Sequence, residues 1–246
     1  MSRTIRLLGL DFADLDVTEA AALIAERPAE SPFQYVVTPN ADHLVRLARD
    51  PDLAAVYRNA GLRLLDSRVV AGAARLLGLP TPRVVPGSDL TPLLLMQHLR
   101  PQEQVTIVGL RPRWLPALVA RCELASPAHY DPPMGFAADR GAFAAAVDFV
   151  LAHRARFVFL AVGSPGQEML AATIAASGCA TGIGLCIGAS LEFVSGAAHR
   201  APPWMQRADL EWLFRLVHDP RRLARRYLVD CPAVFSLLLR ERLGSE

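Results

Sequence analysis

Three short stretches of this 246-residue chain place hydroxyl, amide and carboxyl groups where a strand pattern gives way to a helix pattern. Thr38-Pro39-Asn40 follows the aromatic and β-branched run from Phe33 to Val37. Its hydroxyl and amide suit the fixing of a sugar or a phosphate, or the capping of the helix that follows. The neighbouring Asp42 and His43 read as solvent-facing helix residues. Asp66 ends the short strand at Leu64-Leu65. A carboxylate at the mouth of a pocket can take the proton of an attacking sugar hydroxyl, and equally it can cap a helix. Gly163-Ser164-Pro165-Gly166-Gln167-Glu168 joins a strand to a helix. Its glycines permit close backbone approach, and a helix N-terminus turns N–H groups toward an anion. The spacing is neither a Walker loop nor a dinucleotide turn. Gln167 can hydrogen-bond a nucleotide or sugar, and Glu168 also suits the first turn of a helix as a stabilising acid.

A fourth stretch differs in kind. Between His199 and Tyr227 seven arginines stand against three acids, interleaved with Trp204, Trp212, Phe214 and Tyr227. Guanidinium groups match phosphate oxygens bidentately, and aromatic rings sit well where water meets apolar material. Such a segment suits a ligand that is part diphosphate and part lipid, or else forms a solvated basic helix. Catalytic signatures of other kinds are missing. No Gly-x-Ser-x-Gly elbow occurs, the six histidines lack metal-ligand spacing, and Asp14-Leu15-Asp16 reads as a helix start. No metal or other cofactor is therefore expected, and charge on a leaving group falls to arginines.

The elements that must position these residues alternate. Strand patterns at 3–10, 33–37, 63–65, 104–109, 128–130, 157–162 and 182–187 are separated by helix patterns at 18–27, 41–49, 51–60, 67–78, 90–99, 112–124, 140–153 and 167–176. Ser88 and Asp89 are expected to cap the helix at 90–99. The alternation predicts an α/β fold, a parallel sheet with helices on both faces and its ligand beyond the carboxyl ends of the strands. After Gly196 the pattern changes to arginine-rich amphipathic helices broken at Pro220. Residues 1–196 are thus expected to form a catalytic domain, and 197–246 a helical appendage. Ala233 to Leu239 is expected either to lie at a membrane surface or to pack on the domain or a second subunit.

Composition bounds the rest. A 52% hydrophobic and 20% charged chain is globular, and a net charge of +2 argues against a nucleic-acid partner. Every basic residue is Arg. The four cysteines are scattered, which fits a reducing cytoplasm, and neither a signal peptide nor a spanning run is read.

Taken together, these stretches resemble the WecG/TagA/CpsF family of bacterial glycosyltransferases. Thr38-Pro39-Asn40, then Leu65-Asp66 with Leu77-Gly78, then Pro86-Gly87-Ser88-Asp89-Leu90 match its motifs in order. Pro132-Pro133-Met134-Gly135-Phe136, the Gly163 to Glu168 loop, and the arginine-rich segment with Leu210-Glu211-Trp212-Leu213 follow. Ser67 stands where the family usually has Gly, and the usual Arg before the Gly-x-Asp-Leu signature falls on Val84, beside Arg83. The resemblance implies a Rossmann-like fold and inverting transfer from a UDP-sugar, of the glucose or N-acetylmannosamine type, to an undecaprenyl-diphosphate-linked sugar in cell-surface polysaccharide synthesis. It implies Asp66 as general base, with Thr38, Asn40, Arg83, Asp89, Gly163 and Gln167 as substrate contacts. Arg215, Arg222 and Arg225 would engage the diphosphate. The expected setting is the inner face of the cell membrane, peripherally, with self-association as a further option. The competing readings are a soluble nucleotide-sugar enzyme and a non-catalytic scaffold.

Overall fold

A computed structural model describes residues 3–100, 102–198, 202, 205 and 231–244. The chain opens with an antiparallel hairpin, β1 (Thr4–Leu7) and β2 (Leu10–Ala13). One continuous strand was expected over 3–10. Instead Leu8 and Gly9 both take positive φ, 49° and 74°, and reverse the chain in two residues.

Six parallel strands then form the central sheet: β3 (Gln34–Val37), β4 (Leu62–Arg63), β5 (Val105–Gly109), β6 (Ala128–Tyr130), β7 (Phe157–Ala161) and β8 (Ile183–Cys186). Their order is β4-β3-β8-β7-β5-β6, all pairs parallel. Beyond the edge, Leu65 makes one more parallel bridge to Val84. Burial on both faces explains the unbroken apolar runs in the sequence, since β3, β5, β7 and β8 divide their side chains between two cores. Tyr35, Val37, Val108, Val158, Leu160 and Cys186 enter one core. Val36, Ile107, Phe157, Phe159, Ile183 and Leu185 enter the other.

Helices cover both faces. The first core takes residues from α2 (Ala41–Leu47), α3 (Pro51–Arg58), α4 (Arg68–Leu76), α7 (Arg140–Ala152) and α8 (Gly166–Ala176). The second takes them from α1 (Val17–Ala25), α5 (Gly87–Leu93), α6 (Leu115–Cys122) and α9 (Ser190–Ser195). Helix α5 begins at Gly87 with Pro86 as N-cap, so Ser88 and Asp89 lie inside its first turn and not at the N-cap position. It then widens into a π-helical turn over Leu94–His98, after Pro92 has removed an N–H from the ladder. The result is the Rossmann-like parallel sheet flanked by helices.

The last described helix, α10 (Cys231–Gly244), returns to the body of the protein and packs on α2 and α4. Val234 and Leu238 are fully buried in the first core, and the Leu8 N–H donates to Glu241 Oε2 at 2.7 Å. Phe235, Leu239 and Leu243 lie on the outward side, 47, 48 and 66% exposed. The end of the predicted appendage thus shares a hydrophobic core with the sheet.

Candidate active site

The chain leaves β3 for α2 on one face of the sheet and leaves β8 for α9 on the other. Neighbouring parallel strands that diverge in this way open a crevice at their carboxyl ends. Thr38 is the first residue past β3, 8% exposed, with its Oγ1 3.5 Å from the Cys186 carbonyl at the end of β8. Two residues on, Asn40 caps α2, its Oδ1 accepting from the Asp42 and His43 N–H groups at 3.1 and 3.3 Å. Its carbonyl end is therefore committed to the helix.

Asp66 reaches the same rim from β4. Its N–H donates to the Pro39 carbonyl at 3.0 Å, which sets it beside the start of α2. The alternative role for Asp66, capping α4, goes to its neighbour. Ser67 is the N-cap and accepts from the Val70 N–H at 3.2 Å. The half-buried Asp66 carboxylate instead accepts from the Gly87 N–H at 3.4 Å. The glycine keeps this junction close. A Cβ at that position would sit 3.3 Å from Thr38 Oγ1 and 3.4 Å from Ser190 Oγ. Thr38, Asp66, Gly87 and Ser190 thus converge from β3, β4, α5 and α9.

The β7–α8 loop forms the adjoining wall. Gly163 has φ +81° and open space at its Cβ position, and its carbonyl accepts from the Gln167 N–H at 3.0 Å. At Gly166 a Cβ would lie 3.2 Å from the Phe136 ring, so the Pro133 to Phe136 loop is packed against the start of α8. Among the described residues no three His, Cys, Asp or Glu side chains gather as metal ligands would.

A carboxylate held at the switch point beside hydroxyls suits proton removal from a bound alcohol, which many enzyme classes use. The choice among them comes from comparison. Residues 5–246 match the family model described as the glycosyl transferase WecG/TagA/CpsF family. The chain belongs to this WecG/TagA/CpsF family, and it is a glycosyltransferase. It is 28% identical over 244 residues to the N-acetylglucosaminyldiphosphoundecaprenol N-acetyl-beta-D-mannosaminyltransferase of Bacillus spizizenii strain W23, spanning 96% of this chain and 91% of that protein.

Other expected site residues of this glycosyltransferase are placed differently. Arg83 is spent on the start of α1. Its guanidinium makes ion pairs with Asp14 at 3.6 Å, Asp16 at 3.3 Å and Glu19 at 2.5 Å, and its N–H donates to Asp14 Oδ1 at 3.0 Å. It precedes Gly87 by four residues of largely extended chain, on the order of 10 Å. Asp89 sits in the first turn of α5, two residues beyond Gly87. Gln167 is 2% exposed, and both ends of its side chain are held within the protein. Nε2 donates to Glu168 Oε1 at 2.8 Å, and Oε1 accepts from the Gly188 N–H at 2.9 Å. It shapes the wall from behind. Arg215, Arg222 and Arg225, with Trp204, Trp212 and Phe214, fall outside the described residues.

Sequence reading missed a second polar group under the rim. Asp42 and His43 are half-buried, not solvent-facing. Arg46 pairs with Asp42 at 2.8 Å and donates to Ser164 Oγ at 3.2 Å. The Tyr57 hydroxyl lies 3.4 Å from His43 Nδ1 and 3.3 Å from Ser164 Oγ. Burial raises the Tyr57 pKa, and the nearby Glu168 carboxyl adds to the shift. The Asp42–Arg46 spacing of four was a readable signal for that pair. Ser190 and Tyr57 had no signal of their own, because each is brought in by tertiary contact.

Proposed function

We propose that the enzyme transfers a sugar from a UDP-sugar, of the glucose or N-acetylmannosamine type, to an undecaprenyl-diphosphate-linked sugar with inversion at the anomeric carbon. The observation that carries this reading is the Asp66 carboxylate, released from helix capping by Ser67 and held toward the crevice by the Gly87 N–H. Asp66 accepts the proton of the acceptor hydroxyl as that oxygen attacks C1 of the donor sugar. The new C–O bond forms as the C1–O bond to UDP breaks, and UDP leaves with the electron pair. Thr38 and the NH2 end of Asn40 are within the same rim and suit contacts to sugar or phosphate. Gly163 and Asp89 border it, and Gln167 and Arg83 act on it through the backbone they hold.

Residues 197–246 are proposed to serve acceptor and membrane. Arg215, Arg222 and Arg225 are the groups in this reading that neutralise diphosphate. The exposed Phe235, Leu239 and Leu243 of α10, flanked by Arg240 and Arg242, support peripheral attachment to an anionic lipid surface at the inner face of the cell membrane. Among the described residues no helix is long and apolar enough to cross a membrane.

The test is a donor screen with purified full chain, a panel of UDP-sugars and a synthetic polyprenyl-diphosphate monosaccharide, read by mass spectrometry. One new glycosylated product settles reaction and donor together. UDP binding without product from any pairing would favour a soluble nucleotide-sugar enzyme, and no UDP binding would leave a scaffold. Arg222→Ala and Arg225→Ala are cleaner probes of the acceptor site than truncation, since removing α10 would strip Val234 and Leu238 from the core. Both are expected to lose polyprenyl transfer while UDP still binds.

A further inference from the structure

Behind the crevice lies a buried carboxyl that the transfer step does not use. Glu168, in the first turn of α8, is 1% exposed, and it is surrounded by Gln167, Tyr57, Ser164 and Cys186. Its Oε1 accepts from Gln167, while Oε2 makes no hydrogen bond among the described residues. The guanidinium of Arg46 is engaged by Asp42 and Ser164. A buried carboxyl is expensive unless its neighbours compensate it, and here Gln167, Tyr57 and Ser164 face it.

The partner that Glu168 does have explains its presence. A carboxamide has two unlike ends, and the Gly188 N–H is a fixed donor that only the carbonyl end of Gln167 can meet. The NH2 end then points at residue 168, which must supply an acceptor. Burial pushes the Glu168 carboxyl above its usual range, so an uncharged amide is a close stand-in for it. Gly188 opens the turn into α9, two residues before Ser190. The Ser190 and Thr38 hydroxyls flank Gly87, whose N–H meets Asp66. A continuous line of contacts therefore runs from the start of α8 to the crevice at the carboxyl ends of β3 and β8.

We propose that Glu168 is a positioning residue for sugar transfer. It fixes the orientation of Gln167, which tethers Gly188 and so holds the β8–α9 turn and Ser190 against Thr38 and Gly87 beside Asp66. The proposal rests on the crevice being the transfer site.

Its test reads turnover together with exchange of the Gly188 amide proton by NMR in the full-length protein. Glu168→Leu is expected to speed Gly188 exchange about tenfold and lower kcat by about 10- to 100-fold, with a smaller change in donor KM and no loss of the unfolding midpoint. Glu168→Gln keeps an acceptor and is expected to stay within about threefold of wild type in both readouts, by the same reasoning. Wild-type turnover in Glu168→Leu, or equal damage in Glu168→Gln, would overturn the proposal. Should Glu168→Leu fail to fold, Gln167→Glu and the double variant Gln167→Glu/Glu168→Gln decide. The single change sets two carboxyls face to face, while the double change swaps amide and carboxyl and is expected to recover Gly188 protection. A double variant no better than the single one overturns it. If wild type transfers no sugar with any donor, the transfer reading fails, and Gly188 exchange still reports whether Glu168 holds the turn.

Discussion

The backbone N–H of Gly87 lies 3.4 Å from the Asp66 carboxylate, although the two residues are 21 positions apart. The contact exists because Leu65 bridges Val84 at the sheet edge and the Val85 N–H donates to the Leu65 carbonyl at 2.8 Å. Strand pairing thus delivers the start of α5 to the end of β4. A backbone donor at this point helps to fix the orientation of the carboxylate that the proposed proton removal needs.

Asp66→Asn should therefore remove most transfer and leave UDP affinity near wild type. A loss of roughly 10²- to 10⁴-fold in kcat is expected for a general base. Turnover close to wild type would move the base role to another residue.

Gly87→Val should be more harmful than Gly87→Ala, and at the site more than to the fold. The alanine Cβ would lie 3.3 Å from Thr38 Oγ1, a contact that small movements of the hydroxyls accommodate. Further methyl groups would push Thr38 and Ser190 apart and carry the N–H away from Asp66. Thermal melts and donor kinetics on both variants check the order. Equal activity of the two would show that this junction tolerates displacement.

Arg83→Ala separates a structural clasp from a substrate contact. Arg83 itself and two of its three acidic partners, Asp16 and Glu19, are about half-exposed, so stability should fall by no more than about 1 kcal/mol. Donor KM should stay within about threefold of wild type, since the guanidinium is already engaged at α1. A large rise in KM with unchanged stability would instead place the arginine in the substrate site during turnover.

Glu168 should leave a signature in the pH dependence of stability. Burial raises its folded pKa above the ordinary 4.5, so the folded chain binds the proton more tightly than the unfolded one. Stability is then fullest below 4.5 and declines as pH rises through the folded value. Glu168→Gln lacks this decline, and its urea midpoint should gain on wild type as pH increases. Tyr57, Tyr35 and Cys186, which face the carboxyl, are all pushed upward, Tyr35 to about 12, and stay neutral through that range. His43 and Arg46, behind Tyr57 and Ser164, are common to both proteins and cancel in the difference. Parallel midpoint curves would show that the carboxyl ionises without penalty.

At the opposite end of the sheet, Arg156 offers a control. It is 5% exposed and holds both oxygens of Glu103, at 2.6 and 2.7 Å, with the Ala25 and His98 carbonyls as further acceptors. Burial works against the Glu103 charge, yet the Arg156 hydrogen bond brings its pKa below the ordinary value. Arg156→Met takes the guanidinium from the half-buried Glu103 carboxylate and the donor from the Ala25 and His98 carbonyls, and should cost about 1–3 kcal/mol. Below the melt, kcat should be unchanged, because the pair lies at the amino ends of the strands. A selective loss of kcat would contradict that separation.

The sequence by itself determined the layered α/β plan, since apolar runs of strand length between helical periods leave few other ways to bury both faces of a sheet. It also marked Thr38, Asn40, Asp66 and the Gly163 to Glu168 loop, because strand ends are where such a fold presents polar groups. Roles at those ends were decided only by tertiary structure. Asp66 and Ser67 are both competent helix caps, and the path of the backbone into α4 gave the cap to Ser67. Gln167 by its type and Arg83 through the family resemblance were expected as ligand contacts, and each has partners inside the protein. Glu168 stands in the first turn of α8 as its local pattern indicates, but its burial, like the places of Ser190 and Tyr57, comes from packing between strands and helices far apart in the chain, and no local pattern encodes such a meeting. The Leu8-Gly9 reversal is the converse case, a local backbone choice that strand periodicity alone does not resolve.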